Sequence, residues 1–276
     1  MGIIGLGNET YLYVNGIVVN REIILYDHVT LLPVSAELDS NVASKLIEKN
    51  VDYFIAALSS GNLNAQIKIE AESAKELAVE AWNSQWDCLL LGAIINNSVM
   101  CNLQCDKPVE LINEASYLNV TNYELRGTRG INKELTTEDE TWIEKHYKKA
   151  RELLDHQRYN TAVHCMATYT WHSLPNVQLA ILWSGIESLF NVSTEVGFRV
   201  SLYISNYLSN NHEEAKSLFS HIKDIYNARS SAVHGSNRKL KKPIDEYVNN
   251  SADILNRLIR KCAENNALPD IESLVF

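Results

Sequence analysis

The sequence predicts an α+β protein in which an N-terminal mixed α/β domain, residues 1–135, precedes an all-α helical bundle, residues 136–276. Strand-like and helix-like segments alternate in the first part, whereas the segments after Thr136 have helical periodicity throughout. The change falls at Thr136–Glu140, where a threonine followed by acidic residues is typical of a helix N-terminus. The composition, 46% hydrophobic and 21% charged, is that of a globular chain.

Short runs of β-branched and aromatic residues predict the strands of the N-terminal domain. The predicted strands lie at 9–19, 21–26, 29–34, 66–70, 99–103, 117–120 and 123–125. Asn15-Gly16 predicts a turn, and a hairpin is one form that it could take. A helix is expected from Ser40, with Asp39 or Ser40 as its N-cap, and residues 52–58 fit either a helix or a strand.

A longer helix is predicted over residues 73–91, where apolar residues recur at helical spacing. Trp82 and Trp86 are four residues apart and therefore share one face of this helix. We expect that face to belong to the hydrophobic core. Ile131–Leu135 is expected to be a linker to the helical domain.

The helical domain is expected to be an up-and-down bundle, because its helices are joined by short connections. Pro175 and Pro243 suit the first turns of two of them. The predicted helices lie near 138–156, 158–172, 176–191, 195–209, 213–230 and 243–264.

Cysteine usage and apolar runs indicate a reduced, cytoplasmic protein. The five cysteines are odd in number and irregularly spaced, which does not suggest a disulfide framework. No apolar run reaches the ~18 residues of a membrane span, and the first residues carry no basic segment of the kind that opens a secretion signal. No His/Cys spacing typical of a metal site and no nucleotide-binding glycine motif is present, so neither a metal nor a cofactor is predicted.

The net charge of −9 is distributed unevenly. Residues 1–135 hold 9 Lys+Arg against 17 Asp+Glu, whereas residues 136–276 hold 16 against 17. Four basic residues, Arg238, Lys239, Lys241 and Lys242, form a local run in the second part. They are candidates for contacting an RNA backbone, and the alternative is an ordinary solvated loop.

Arg229 and His234, separated by four residues, carry the candidate chemistry. Arginine stays cationic and can donate two parallel hydrogen bonds to a phosphate. Histidine exchanges a proton near neutral pH. Positions five apart are roughly 140° apart around a continuous helix, so the two side chains can converge only where the helix loosens or ends. We therefore expect Arg229 in the last turns of a helix and His234 at or just past its end.

The order of several segments resembles the HEPN superfamily, most closely its Apea-like branch in bacterial anti-phage defence. The segments are 180–190, 195–202 and 226–235, and the resemblance extends over about 136–260. It implies a helical bundle that dimerises and brings two R-x4-H motifs together as a metal-independent ribonuclease site. Arg229 and His234 match that motif, and Glu187 and Arg199 match recurring positions of less defined role. Ser236 stands where some HEPN toxins carry a tyrosine to which an antitoxin attaches nucleotides.

Further residues are candidates to support this site. Glu187 lies on a largely apolar helix and needs a cationic partner, for which Arg199 and Arg229 are the choices. Tyr226 either contacts a phosphate or base or packs in a core or dimer face. Asn227 and Ser230 either position the reactive groups or cap the helix end.

The function that the resemblance implies is a HEPN-type endoribonuclease acting on tRNA or mRNA, in anti-phage defence or a toxin-like stress response. His234 would act as general base or acid, Arg229 would stabilise the charge that develops on the phosphate, and no metal would be needed. The partners implied are a second subunit, bound through the helical domain, and a phage-derived trigger or an antitoxin sensed by the N-terminal domain. The alternative is a non-catalytic dimeric HEPN module that binds nucleotide or RNA.

Overall fold

The computed structural model describes residues 7–37, 39–47, 63–121, 132–192, 196–233 and 240–274. The chain forms two compact units. The first consists of residues 1–92 and 97–148, and the second of residues 93–96 and 149–276.

A six-stranded sheet organises the first unit. The strands of this unit are β1 (Glu9–Asn15), β2 (Ile17–Val18), β3 (Ile23–Tyr26), β4 (Val29–Pro33), β5 (Ala65–Glu70), β6 (Met100–Cys105), β7 (Leu118–Val120) and β8 (Lys133–Glu134). The order in the sheet is β3-β4-β5-β1-β6-β7, and each described pairing in it is antiparallel. The predicted strands at 66–70, 99–103 and 117–120 are confirmed. One apolar cluster of this unit contains Tyr11, Tyr13, Leu63, Leu103, Cys105 and Val109.

The chain bends at Gly16, where a turn was predicted, but β1 and β2 do not form the hairpin that this turn could have made. β1 pairs with β5 and β6, whereas β2 leaves the sheet and pairs in parallel with β8. Gly16 makes the change of direction possible, because its φ of +93° is unfavourable for other residues and a Cβ there would overlap the carbonyl oxygen of Ser98. The expected linker at 131–135 therefore contains the short strand β8. The hairpin that does form joins β3 to β4, with His28 at a φ of 66°.

In the described residues, two helices precede the helical part of the chain, α1 (Ser40–Ile47) and α2 (Ala74–Ile95). Of the two N-caps that the sequence allows, Asp39 caps α1, because its carboxylate accepts a hydrogen bond from the Asn41 N–H at 2.8 Å.

The prediction that Trp82 and Trp86 belong to the core is wrong, since they are 53% and 48% exposed. The buried stripe of α2 follows Leu77, Ala81 and Cys88. The tryptophans lie roughly 140–180° around the helix from Leu77, on the opposite face.

Helix α3 (Thr137–Glu152) begins with the predicted cap, in which the Thr136 hydroxyl accepts from the Asp139 N–H at 3.1 Å. The first unit includes this helix as far as Lys148. Tyr147 is fully buried and donates a hydrogen bond of 2.7 Å to the Asp87 carboxylate of α2. Tyr26 donates to the other oxygen of Asp87 at 2.7 Å, so a buried carboxylate holds α3 and the sheet together with α2.

The second unit is helical. Its helices are α4 (Gln157–Thr168), α5 (Pro175–Phe190), α6 (Val196–Leu208), α7 (His212–Val233) and α8 (Ile244–Asn265). Short 3₁₀ turns precede and follow α4, at Leu153–Asp155 and Tyr169–Trp171. Helix α5 is central, because it packs against α4, α7 and α8, while α6 packs chiefly against α7. Trp183, Ile186 and Phe190 of α5 and Leu255 and Ile259 of α8 are fully buried in this core.

The predicted α+β class is confirmed, and each helix predicted after Thr136 is present within a few residues of its expected bounds. None of the described helices combines the length and apolar character that a bilayer span requires. The ambiguous segment 52–58 and the strand predicted at 123–125 lie outside the described residues.

Candidate functional site

Arg229 lies in the last two turns of α7, as the sequence predicts. Helix α7 continues to Val233, and His234 is the next residue in the chain. His234, Arg238 and Lys239 lie outside the described residues, so the site is described from Arg229 and its neighbours.

Glu187 of α5 is the acidic partner of Arg229. Its Oε1 lies 3.5 Å from Nη2 of Arg229, and the two side chains are 26% and 18% exposed. Of the two cations proposed for Glu187, the structure therefore records Arg229 as the ion-pair partner. Arg199 lies on α6 with an exposed side chain. The 3.5 Å separation exceeds the 2.7–2.9 Å that is usual for a charge-assisted hydrogen bond.

Two polar atoms of this pair are buried without a hydrogen-bond partner among the described residues, Oε1 of Glu187 and Nε of Arg229. Burial raises the pKa of Glu187, and the positive charge of Arg229 opposes the shift only in part. The guanidinium is thus half-enclosed and incompletely hydrogen-bonded, which leaves N–H donors for an additional oxygen ligand.

The aromatic ring of Tyr226 contacts the Arg229 guanidinium. The Arg229 Cζ atom lies 5.7 Å from the centre of the Tyr226 ring, within the range of a cation–π interaction. Burial, followed by the charge of Glu187, raises the pKa of Tyr226, whereas Arg229 lowers it. The ring is half-buried, so Tyr226 packs within its own chain.

Trp183 and Gly197, which sequence analysis did not assign to the site, fix the Tyr226 ring. Trp183 meets it edge-on with centroids 5.2 Å apart, and its indole N–H donates to Ser251 Oγ at 3.0 Å. Gly197 also lies against the ring, where a Cβ would be only 2.6 Å from Tyr226 Cε1. Trp183 is four residues before Glu187 on the same helix, and this spacing could have indicated it.

Two further candidates, Asn227 and Ser230, also lie on α7. Asn227 is exposed and Ser230 is half-buried. Asn227 and Lys241 line one shallow cleft together with Asp224, Ser231 and Tyr247. The structure therefore brings Asn227 close to one residue of the basic run.

The two described lysines of the basic run are both paired with acids. Lys241 Nζ lies 2.6 Å from Asp224 Oδ1, and Lys242 Nζ lies 3.0 Å from Glu246 Oε2. The lysine side chains are 75% and 51% exposed, so both ion pairs face solvent. Such pairs contribute little to stability.

No group of three or more His, Cys, Asp or Glu side chains with metal-binding geometry occurs in the described ranges. The cluster around Arg229 contains one carboxylate, a cation and aromatic rings, which can bind an oxyanion. Comparisons of the chain with protein-family models, with curated proteins and with solved structures give no significant match.

Proposed function

We propose that this protein is a metal-independent endoribonuclease of HEPN type in which Arg229 and His234 act on an RNA phosphodiester. The observation that carries the proposal is the half-buried Arg229 guanidinium, with an unpartnered Nε, at the end of a helix that His234 directly follows. A cation held in a partly desolvated position binds a phosphate more strongly than a freely solvated one, because its charge is less screened.

In the proposed reaction, His234 removes the proton of a ribose 2′-hydroxyl or protonates the leaving 5′-oxygen. The 2′-oxygen attacks the adjacent phosphorus as the bond to the 5′-oxygen breaks. The products are a 2′,3′-cyclic phosphate and a 5′-hydroxyl. Arg229 stabilises the negative charge that develops on the non-bridging oxygens. In a homodimer formed through the helical unit, the two histidines would divide the acid and base roles.

The cellular compartment, the RNA substrate and the activating trigger are part of the same proposal. The five free thiols support a reducing, cytoplasmic compartment. The substrate would be a tRNA or an mRNA, and the acidic N-terminal unit would respond to a phage-derived trigger or to an antitoxin. Arg238, Lys239, Lys241 and Lys242 would contact the RNA backbone beyond the scissile bond.

The test is cleavage of a mixed RNA pool in EDTA by the wild type, His234→Ala and Arg229→Ala. We expect EDTA-resistant cleavage with cyclic phosphate ends, reduced roughly 10²–10⁴-fold by loss of the acid–base group and about 10²–10³-fold by loss of the charge stabiliser. His221→Ala, an exposed histidine on the same helix, is the matched control and should cleave like the wild type. Equal rates in all four folded proteins would refute the assignment.

A non-catalytic dimeric module that binds nucleotide or RNA is the second candidate, and one observation favours it. Arg229 already contacts Glu187 and the Tyr226 ring within its own chain, as a helix brace would. For this module we expect RNA binding that Arg229→Ala weakens, with no cleavage by any variant, including in cells where the trigger is present. Toxicity on expression that His234→Ala relieves would contradict it.

A further inference from the structure

Glu187 lies where it can compete with a ligand of Arg229. Among the described residues, it is the one carboxylate within 4 Å of the guanidinium. Carboxylates and phosphates are the two anions that match the planar donor fork of arginine. Occupation of the Nη2 edge by Glu187 and binding of a phosphate at that edge are therefore mutually exclusive.

The ion pair between Glu187 and Arg229 is also weaker than an arginine–carboxylate pair that only holds two helices together. A structural pair of this type is commonly bidentate, with two short parallel hydrogen bonds. Here the separation is 3.5 Å, and Arg229 Nε and Glu187 Oε1 both lack a hydrogen-bond partner in the described part of the chain. Burying an incompletely bonded charge is costly, so exchange of the carboxylate for a better-bonded anion is favoured.

Tyr226 and Trp183 make such an exchange possible without rebuilding the site. The Tyr226 ring supports the guanidinium from the side, and Trp183, fixed by Ser251, holds the ring. These contacts do not depend on the Glu187 charge. Arg229 can therefore keep its place when its anionic partner changes.

We propose that Glu187 is an intramolecular competitor that occupies the phosphate-binding edge of Arg229 in the free protein and is displaced by an RNA phosphate. This inference rests on the proposed function, because it regulates the same site. In the free protein only the fraction with a released Arg229 is competent to bind, and the apparent affinity for phosphate is reduced by that fraction. If Glu187 had only a structural role, the opposite result would follow. Its loss would release Arg229 from its binding geometry and weaken phosphate binding.

The experiment measures phosphate binding directly, with inorganic phosphate as the probe. The Arg229 side-chain Nε–Hε resonance is followed by NMR in the full chain during a phosphate titration. Binding of an uncleaved RNA oligonucleotide is measured by fluorescence anisotropy in a His234→Ala background. We expect Glu187→Gln to tighten both by about 5-fold or more, at the lower end of typical coupling between linked sites.

Asp253→Asn is the matched control, because it also removes one carboxylate paired with an arginine, Arg257, in the helical unit. We expect it to change phosphate binding less than about 2-fold, since its ion pair faces solvent. Should Glu187→Gln fail to fold, Glu187→Asp replaces it. Asp keeps the charge but retracts it by one methylene, and we expect a smaller tightening in the same direction.

The outcomes separate this inference from the nuclease assignment. Unchanged or weaker phosphate binding in the Glu187 variants refutes the role of Glu187 as a competitor. An Arg229 Nε–Hε resonance that phosphate does not shift in any variant refutes it as well. Cleavage by the wild type would still stand in that case. The converse outcome is that Glu187→Gln binds phosphate more tightly while no variant cleaves RNA. That result supports the role of Glu187 as a competitor and refutes the nuclease assignment.

Discussion

Replacing Gly197 by alanine tests whether the packing of Tyr226 determines the site. Gly197 is the second residue of α6, and the three atoms closest to an added Cβ all belong to the Tyr226 ring, at 2.6, 2.8 and 3.4 Å. A single side chain is therefore responsible for the clash. Trp183 contacts the same ring edge-on, with centroids 5.2 Å apart, so movement of the ring also changes this contact.

Two opposing effects determine the sign of the change in stability. Alanine is favoured over glycine in a helix by up to about 1 kcal/mol, and by less in the first turn. Overpacking a well-filled position costs roughly 1–3 kcal/mol. Because the closest contacts are under 3.0 Å, we expect the clash to dominate, with a net loss of about 1–2 kcal/mol in the free energy of unfolding of the helical unit.

The assay is native-state hydrogen exchange of the α7 amides, combined with RNA cleavage. In a Tyr226→Ala background the clash is absent, so Gly197→Ala should become neutral or stabilising. Gly185→Ala is the control glycine, because its Cβ would meet Cys165 at 2.8 Å and Leu255 at 2.9 Å and should remain destabilising in both backgrounds. If Gly197→Ala has the same effect with and without the tyrosine ring, the reasoning is refuted. If the proposed RNA cleavage occurs, displacement of the ring from Arg229 in the wild-type background should also reduce it.

Two further predictions concern buried carboxylates. Burial raises the pKa of Glu187. The protonated side chain therefore contributes its full stability below the usual carboxyl pKa. That contribution is lost as the pH rises through the raised pKa. The wild type should therefore lose stability relative to Glu187→Gln as the pH rises above the ordinary pKa of a carboxyl group, and a pH-independent difference in denaturant titrations would contradict this. In the first unit, Glu140 accepts a hydrogen bond from the Asn20 N–H at 2.9 Å and lies 3.3 Å from Arg21 Nε, so Glu140→Gln should cost about 1–3 kcal/mol. Glu144→Gln removes an exposed partner of the same arginine and should cost under about 1 kcal/mol; equal losses in urea unfolding would show that burial is not decisive.

The helices were predictable because their signals are local. The Thr136 hydroxyl and the Asp39 carboxylate cap the helices that they precede, and Pro175 occupies the first turn of α5. Each signal depends on neighbouring residues in the chain and on the 3.6-residue period. The position of Arg229 near the end of α7 followed from the same kind of evidence.

The errors concern interactions that depend on distant segments. The departure of the chain from β1 at Gly16 depends on Ser98 and on the later strand β8, which no local pattern reveals. Likewise, helical spacing places Trp82 and Trp86 on one face but does not tell which face is buried. The Gly197–Tyr226 contact joins two helices at van der Waals distance, and sequence spacing does not encode such a contact.

The faces of α7 constrain how an RNA strand could reach the proposed site. Asn227 and Arg229 are two residues apart, so they project roughly 160° apart around the helix. Arg229 shares the inward face with the buried Ile222, whereas Asn227 lines the cleft that contains Lys241. A strand that contacts both the lysine and the arginine cannot run along a single face of the helix. Under the proposed function, it must cross the C-terminal part of α7, which is the end of the helix nearest to His234 in the sequence.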